Sequence, residues 1–519
     1  MAKIERSKNA SRNVIFGFLQ TLYSQIVPFI MRTIMIYVMG IEYLGLNSLF
    51  ASVLSVLNLA ELGVGSAMVF SMYKPIAEDD KETICALMKL YRTYYRIIGL
   101  VIAVVGGAVT PFIPKLINGT VPDGINVYVL YLINLATTVL TYWLFAYKNC
   151  LLGAHQRGDI SSKIGIVIST ITYGLQILVL FLTHNYYIYI IVALVMGAVN
   201  NIVTAIIVDK IFPDYHAIGK LPKGQVDAIN KKVRDLFTAK LGTVVVNSVD
   251  TIVISAFLGL KVLAVYQNYF YVCNAVFGFV TIIFGACTAG IGNSIITETE
   301  EKNFNDLKKF TLMISWIGGF SCCCFACLYQ PFMELWVGKD NMLGYSYVIL
   351  FCVYFYLRII NQLFCTYKDA AGIWHEDRYR PLITAIANLG MNLIMVQFWG
   401  LYGILLSTII STMIIGTPWL MKNLFTVIFH NNPKKYIIKI LVYLFVAIID
   451  VAICVGISRF LTFDSLILTM IARLIVCAIV PNLSFFIIFR KSNEFIGLLE
   501  IVNSLTKGKI KFISRGKEL

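Results

Sequence analysis

The chain has 519 residues, of which 58% are hydrophobic and only 14% are charged, and its mean hydropathy is +0.78. In soluble domains about a quarter of the residues are charged. This composition therefore excludes a soluble protein and predicts a polytopic membrane protein. The net charge of +15 does not indicate nucleic-acid binding, because most basic residues stand in short segments between apolar runs. The twelve cysteines lie mostly inside those runs, which argues against a disulfide scaffold.

Apolar runs long enough to cross a membrane recur along the whole chain. A span needs about 20 apolar residues, and the first run is too long to be the core of a cleaved signal peptide. The sequence predicts fourteen spans and an all-α integral membrane fold. The predicted spans are residues 14–39, 46–70, 95–117, 127–152, 164–183, 187–208, 240–258, 264–289, 310–330, 345–366, 381–399, 401–428, 436–458 and 465–489.

The basic residues indicate the orientation of these spans. An even number of spans puts both termini on one side, and the segments on that side contain 36 lysines and arginines against four on the other. Positive charge accumulates in cytoplasmic loops. The sequence therefore predicts that both termini are cytoplasmic.

Two halves of the chain repeat one another. Arg32-Thr33-Ile34-Met35-Ile36 matches Asp250-Thr251-Ile252-Val253-Ile254, and Pro111-Phe112-Ile113 matches Pro331-Phe332-Met333, at offsets of 218 and 220 residues. Because six spans separate corresponding spans, the repeats run in the same direction, as in several transporter folds. Two parallel-repeat lobes of six helices around a central cavity, with one added helix pair, are predicted.

This repeat defines the expected domains. They are an N-lobe of spans 1–6 at 1–208, a basic cytoplasmic linker at 209–239, a C-lobe of spans 7–12 at 240–428, an additional helix pair at 429–489 and a basic cytoplasmic tail at 490–519. The tail either lies on the anionic inner leaflet or is a solvated end.

Arg32 and Asp250 are charges inside apolar spans, where such residues are functional candidates by default. Helical spacing places Gln25 on the face of Arg32 and Asn247 on the face of Asp250. The two charges stand at similar depth on corresponding helices, so we expect them to face each other across a central cleft. Arg32 is alternatively long enough to extend to the outer interface.

Four other polar positions in or beside the spans are candidates. Asn58 and Glu61 lie one turn apart before Gly63, and Glu61 either carries a coupling ion or is a carboxyl hydrogen-bonded between helices. Arg358 stands near the middle of span 10, so it needs a cavity or a carboxylate partner. Depth and polarity also assign Arg358 and Lys148 to the cavity.

The remaining charges and cysteines have simpler interpretations. Asp450 and Arg473 stand eight residues from facing ends of spans 13 and 14, which predicts a structural ion pair. The Cys322-Cys323-Cys324 run has no nearby histidine or acid and predicts packing, not a metal site. No catalytic triad, phosphate-binding loop or cofactor motif occurs, so neither catalytic residues nor a cofactor are predicted.

Taken together, several stretches resemble a known family. They are Arg32 through Gly40, Leu44-Gly45-Leu46, Ala60-Glu61-Leu62-Gly63, Asp250 through Gly259 and Pro331 through Gly338. As an ordered set they resemble Wzx-type flippases of bacterial polysaccharide biosynthesis, in the multidrug/oligosaccharidyl-lipid/polysaccharide exporter superfamily.

This resemblance implies a non-enzymatic carrier in the bacterial cytoplasmic membrane. The implied cargo is an undecaprenyl-pyrophosphate-linked oligosaccharide for O-antigen, capsule or exopolysaccharide, moved from the inner to the outer leaflet by alternating access. Arg32, Glu61 and Asp250 match charged positions of the family. Membrane lipids, H⁺ or Na⁺, and the glycan polymerase and glycosyltransferases of the pathway are the implied partners.

Two other functions compete with this one. A cation-coupled antiporter for small amphiphilic molecules would use the same fold, but it favours an acidic, aromatic cavity. A membrane enzyme such as a glycan polymerase would need a sizeable outer loop with catalytic residues, and the longest outer segment is about 331–344.

Overall fold

The computed structural model describes the backbone of residues 6–505 and the side chains of residues 12–500, except 14, 235, 238–240, 243, 246, 247, 286 and 289. Throughout the described backbone the chain forms helices joined by short turns, and no β-strand occurs there. Contacts between residues divide the chain into two compact units, and the boundary lies between Ala264 and Val265.

Unit 1 is a bundle of α-helices. α9 packs along α2, α1 packs on α7, α7 on α8, and α4 on α5. The helices are α1 (Arg6–Val38), α2 (Ile41–Leu57), α3 (Val64–Ala77), α4 (Lys81–Val109), α5 (Val127–Trp143), α6 (Asn149–Ala154), α7 (Gly158–Thr183), α8 (Tyr186–Ile211) and α9 (Lys223–Leu258).

The expected linker at 209–239 is helical from Lys223 onward, where α9 begins. Its lysines and glutamine are strong helix formers, and hydropathy alone cannot distinguish a polar helix from a loop. α9 also packs with α2 and α3 in unit 1. Asp250 therefore belongs to the same compact unit as Arg32.

Two predicted spans of unit 1 are interrupted helices. Between α2 and α3 the chain forms one 3₁₀ turn, Asn58–Glu61, and Gly63 has a left-handed backbone with φ of 89°. A Cβ at Gly63 would also stand 2.6 Å from Leu236 of α9, so glycine permits both the turn and the close approach. A second break, at Phe145, bends the segments before and after it by 47°.

Unit 2 is built around one long helix, α11, which contacts α12, α15, α16 and α17. Aromatic side chains of α15 to α17 pack on α11 in one apolar core, and buried cysteines of α11, α15 and α16 form another. The chain enters unit 2 within α10. The helices are α10 (Leu260–Thr297), α11 (Glu300–Val337), α12 (Tyr345–Ala370), α13 (Arg380–Ser411), α14 (Thr417–Leu424), α15 (Lys434–Ser458), α16 (Leu466–Phe489) and α17 (Asn493–Leu505).

α13 is broken at Gly400, where φ is 53° and ψ is −133°. The segments on either side fold against each other: the Asn388 amide donates to Thr408 Oγ1 at 3.0 Å, and Ser407 donates to Asn392. A Cβ at Gly403 would lie 2.3 Å from the Met395 carbonyl oxygen. This antiparallel packing agrees with the two spans predicted at 381–399 and 401–428.

The all-helical membrane fold predicted from the sequence is confirmed. Eleven described helices or helix runs are long and apolar enough to cross a membrane, and twelve if the bent pair at Phe145 is one span. The Arg380–Phe429 run counts once here although Gly400 interrupts it, and α9 is not among the eleven. The total of fourteen spans stays a prediction.

Gly403→Ala should destabilise the protein because the new methyl group cannot fit beside the Met395 carbonyl. We expect a loss of about 1–3 kcal/mol, as for overpacked cores, measured as a lower apparent Tm of the detergent-solubilised chain. The control is Gly390→Ala in the same helix, where a Cβ meets no atom within 4 Å. Equal thermal stability of the Gly403 and Gly390 variants would contradict this account.

Candidate functional site

The interrupted helix in unit 1 places a carboxylate among tyrosine hydroxyls. Tyr95 donates to Glu61 Oε1 at 2.8 Å and Tyr142 donates to Glu61 Oε2 at 3.1 Å. Tyr142 also lies 3.2 Å from Asn58 Oδ1, and Tyr91 donates to Tyr95. Asn58 and Glu61 therefore form one hydrogen-bonded network with three tyrosines.

The helix break creates this network. The 3₁₀ turn and the left-handed Gly63 re-aim the chain between α2 and α3, so Glu61 meets α4 and the end of α5. The Tyr95 and Tyr142 rings pack edge to face with centroids 5.4 Å apart. Every described hydrogen-bond donor to the Glu61 carboxylate is a hydroxyl group. No described lysine or arginine forms an ion pair with it.

The sequence did not reveal these tyrosines. Tyr91 and Tyr95 match an interfacial aromatic belt by composition, but in the structure they are 4% and 7% exposed and belong to the Glu61 network. Their spacing of four residues does put them on one face of α4. The shared face could have indicated that the two tyrosines act together. Their contact with Glu61 depends on helix packing, which the local sequence does not show.

Arg358, in the middle of α12, is held without an acid. Its Nη1 donates to the Asn274 side-chain oxygen, and its guanidinium stacks 3.8 Å from the centre of the Phe277 ring. The centre of the Tyr354 ring lies 5.7 Å from the guanidinium. Arginine has five N–H donors, and Asn274 is the acceptor described for it. Of the two environments expected for Arg358, a carboxylate partner is absent from the described contacts.

Lys148 is paired. Its ammonium group forms an ion pair with Asp209 of α8 and lies 5.5 Å from the Phe145 ring centre. The corresponding lysine of the second repeat, Lys368, pairs with its chain neighbour Asp369, at 2.7 Å. Both lysines therefore have acidic partners.

A second buried charge cluster, which the sequence did not predict, lies at the start of α13. Arg380 binds both carboxylate oxygens of Asp377, at 2.6 and 2.8 Å, and these two side chains are almost fully buried. Asn423 also donates to Asp377, at 3.2 Å, and Lys368 lies 3.9 Å away. The bidentate geometry of the Arg380–Asp377 pair is typical of a strong structural ion pair.

Arg32 and Gln25 of α1 and Asp250 of α9 are half-buried. Arg32 lies within electrostatic range of Tyr189, in the first turn of α8. The side chain of Asn247 lies outside the described residues. The face-to-face arrangement of Arg32 and Asp250 stays a prediction.

The described residues offer no metal centre. No group of three or more histidine, cysteine or acidic side chains among them could hold a metal ion. The cysteines of α11, α15 and α16 instead pack as small apolar groups, as the sequence predicts.

Comparison with solved structures identifies the architecture. A structure of the lipid II flippase MurJ in an inward closed conformation matches with a TM-score of 0.67 at 16% identity, covering 92% of this chain and 99% of that one. The chain has the fold of MurJ. An inward-facing multidrug resistance MATE family transporter of the MOP superfamily matches with a TM-score of 0.61 at 16% identity, covering 78% of this chain and 93% of that one.

A mutant of the Vibrio cholerae MATE transporter VcmN matches with a TM-score of 0.54 at 14% identity, over 82% of this chain and 99% of that one. No protein-family model and no curated protein sequence matches the chain. The MurJ/MATE fold is therefore established by structure, at identities that show the fold alone.

Within this MurJ/MATE fold, the predicted pair of Asp450 and Arg473 does not form. Asp450 is buried and accepts from Ser484 Oγ at 2.7 Å, whereas Arg473 donates to the carbonyls of Leu461 and Cys327 at 3.2 and 3.3 Å. Ser484 and Arg473 are separated by eleven residues of α16, or about 16 Å at the helical rise.

The prediction was wrong because it assumed a symmetric hairpin. In the structure Lys439 contacts Glu494, and Tyr443 packs on Phe489. This register places Asp450 near Ser484, so the first turns of α16 lie beside the loop after α15. Arg473 therefore stands near the end of α15 and not beside Asp450.

The absence of this pair predicts additive mutational effects. Asp450→Asn and Arg473→Gln should each lower the apparent Tm, since each removes contacts of a buried or half-buried polar group. In the double variant, the effects on stability should add to within about 0.5 kcal/mol, as for distant sites. A double variant more stable than Asp450→Asn alone would restore the ion-pair model.

Proposed function

We propose that this chain is a flippase that moves an undecaprenyl-pyrophosphate-linked oligosaccharide from the inner to the outer leaflet for surface polysaccharide assembly. The observation that carries the proposal is Arg358, a half-buried cation in the middle of α12 whose described partners are an amide and aromatic rings. Such a site attracts an anion and suits pyrophosphate. The structural similarity to the lipid II flippase MurJ supports the same class of cargo.

The local contacts of Arg358 suit reversible anion binding. Asn274 and Phe277 orient the guanidinium plane without neutralising its charge. A planar guanidinium binds phosphate through two parallel N–H donors. A carboxylate partner would compete with the cargo, whereas an amide does not. Cargo pyrophosphate would therefore supply the counter-charge that no described side chain provides to Arg358.

Glu61 is proposed as the ion-coupling group. Its hydroxyl ligands leave its negative charge without a basic partner among the described side chains. A proton can neutralise the carboxylate, and Na⁺ can bind it together with the hydroxyl oxygens and Asn58, since hard cations prefer oxygen ligands. Because Glu61 lies on the turn between α2 and α3, ion binding there would act on the two helix segments directly.

The other predicted residues have supporting roles in this proposal. Arg32 and Gln25 would contribute to cargo binding, and Asp250 and Asn247 to ion coupling. Lys148 would act through its ion pair with Asp209, which cargo must displace to reach the ammonium group. The distribution of basic segments supports cytoplasmic termini. In this proposal the chain lies in a bacterial inner membrane, with the polymerase and glycosyltransferases of the pathway as functional partners.

A cation-coupled antiporter for small molecules is the second candidate. The MATE structures share the fold, and the acidic, aromatic surroundings of Glu61 suit a cation. The two functions differ in cargo charge, so one reconstituted preparation distinguishes them. Proteoliposomes would be assayed for flipping of a fluorescent prenyl-pyrophosphate oligosaccharide and for gradient-driven uptake of a cationic dye. Dye uptake without flipping would favour the antiporter.

Arg358→Gln should reduce flipping of the prenyl-pyrophosphate oligosaccharide by about 10- to 100-fold. A hydrogen bond to a charged group contributes about 1.5–3 kcal/mol, and each 1.4 kcal/mol is a factor of ten. Flipping would be measured as the labelled lipid that becomes accessible to a membrane-impermeant quencher.

Two variants control this measurement. Arg378→Gln removes an arginine from the loop before α13, where it contacts His375 and Tyr379. This variant should flip the labelled lipid at the wild-type rate. Arg358→Lys keeps the charge but loses the planar fork, so its rate should fall between those of the wild type and Arg358→Gln. Normal flipping by Arg358→Gln would refute the pyrophosphate role.

Glu61→Gln should abolish the response of transport to an imposed H⁺ or Na⁺ gradient. The amide has nearly the same shape but cannot take up a proton or supply a negative charge to a cation. Tyr142→Phe removes one hydroxyl ligand and should weaken the response about tenfold. Transport would be measured with and without the gradient, and a variant that still responds as the wild type does would exclude Glu61 as the coupling group.

A further inference from the structure

A cavity of about 220 Å³ opens at the end of α15 and beside the first turns of α16, inside unit 2. Its polar lining comes from four helix segments: Cys327 of α11, Tyr345 of α12, Ser458 and Arg459 at the end of α15, and Arg473 of α16. This position follows from the shifted register of the α15–α16 hairpin. It is distinct from both Glu61 and Arg358.

Two positive charges line this cavity. Arg473 uses Nε and Nη1 to donate to the backbone carbonyls of Leu461 and Cys327, which leaves three of its five N–H donors for another acceptor. Arg459 is exposed. Neither arginine forms an ion pair with any described carboxylate, although Asp464 stands in the same loop.

The cavity also contains a buried hydroxyl group. Ser458 is only 4% exposed, and its Oγ forms no hydrogen bond of standard geometry in the described part of the chain; its polar neighbour is the Cys327 thiol, a weak hydrogen-bonding group. Burying a hydroxyl without a partner costs about 1–3 kcal/mol. A group that occupies the cavity and accepts a hydrogen bond would remove this cost.

Packing alone explains part of this arrangement. Arg459 caps the C-terminus of α15, where a positive charge is favourable because the helix dipole is negative there. That interaction does not involve Ser458 or the remaining donors of Arg473. A cavity lined by two arginines and an unpartnered hydroxyl group matches a tetrahedral oxyanion, because arginine and serine together supply donors on several sides.

We propose that this cavity binds a phosphate group at the membrane surface, supplied either by the headgroup of a phospholipid or by free phosphate. The end of α15 and the loop after it lie where spanning helices leave the hydrocarbon, and phospholipid headgroups occupy that level. Arg473 and Arg459 supply the charge, and Ser458 donates its hydroxyl hydrogen. This proposal does not depend on the transported cargo.

The test uses the purified, delipidated full chain in detergent and two probes. Binding of phosphatidylglycerol is measured by native mass spectrometry against diacylglycerol with the same acyl chains, which lacks phosphate. Stabilisation by inorganic phosphate is measured as a shift in apparent Tm relative to chloride at equal ionic strength. We expect at least one phosphate probe to bind, and binding to fall about 10-fold in Arg459→Gln and several-fold in Ser458→Ala.

Matched variants make the result decisive. Arg490→Gln removes an exposed arginine after the other end of α16 and should bind as the wild type does. Arg473→Gln also loses two backbone contacts, so Arg459→Gln, which has no described side-chain contact, carries the test if Arg473→Gln unfolds. If Arg459→Gln loses only phosphatidylglycerol binding, the cavity is a lipid headgroup site. If it loses only the stabilisation by inorganic phosphate, the cavity binds free phosphate. Binding of neither probe, or equal binding by Arg459→Gln and Arg490→Gln, overturns the proposal.

Discussion

A charge inside a membrane-spanning helix requires a partner, because hydrocarbon supplies no hydrogen bonds and little screening. At the helix ends and turns, Asp377 with Arg380, and Lys148 with Asp209, form ion pairs in which both charges cancel locally. Glu61 and Arg358 instead have described partners that are polar or aromatic and carry no opposite charge. The first arrangement stabilises the local structure, whereas we propose that the second leaves a site at which a mobile ion or an anionic group would gain energy by binding.

Breaks in the helices determine where such charges can lie. A regular α2–α3 helix would continue the hydrogen-bond ladder through Asn58 and Glu61, and the carboxylate would point along one helical face. The 3₁₀ turn and the left-handed Gly63 let Glu61 reach tyrosines of α4 and α5. Irregular backbone at membrane depth is tolerated where it is buried in protein or lines water. The break at Gly400 serves a different purpose, since the polar side chains beside it pair with one another across the hairpin.

The sequence indicated which charged residues in the spans need partners, but it did not indicate the partners correctly. Hydropathy identifies the membrane class, and the polar residues inside apolar runs identify Glu61 and Arg358 as candidates. Partners depend on helix register, which local sequence does not contain. Asp450 and Arg473 show this most clearly: equal distances from facing span ends indicated a pair, but the register in which α16 packs along α15 separates them. The tyrosines around Glu61 were missed for the same reason, because their role arises only when α4 and α5 pack beside the turn.

Glu61 and Arg358 share a property that ion pairs lack. An ion pair must be broken before either partner can bind anything else, and breaking a buried pair costs about 3–5 kcal/mol. A carboxylate held by hydroxyl groups can accept a proton or a cation while the hydroxyl groups reorient, and a guanidinium held by an amide can accept an anion while its stacking on Phe277 persists. Binding and release at these two positions therefore change the local charge without first destroying protein contacts. The proposed transport cycle requires that reversibility, since each turn of the cycle would bind and then release cargo and ion, and a site stabilised by strong internal pairs would resist both steps.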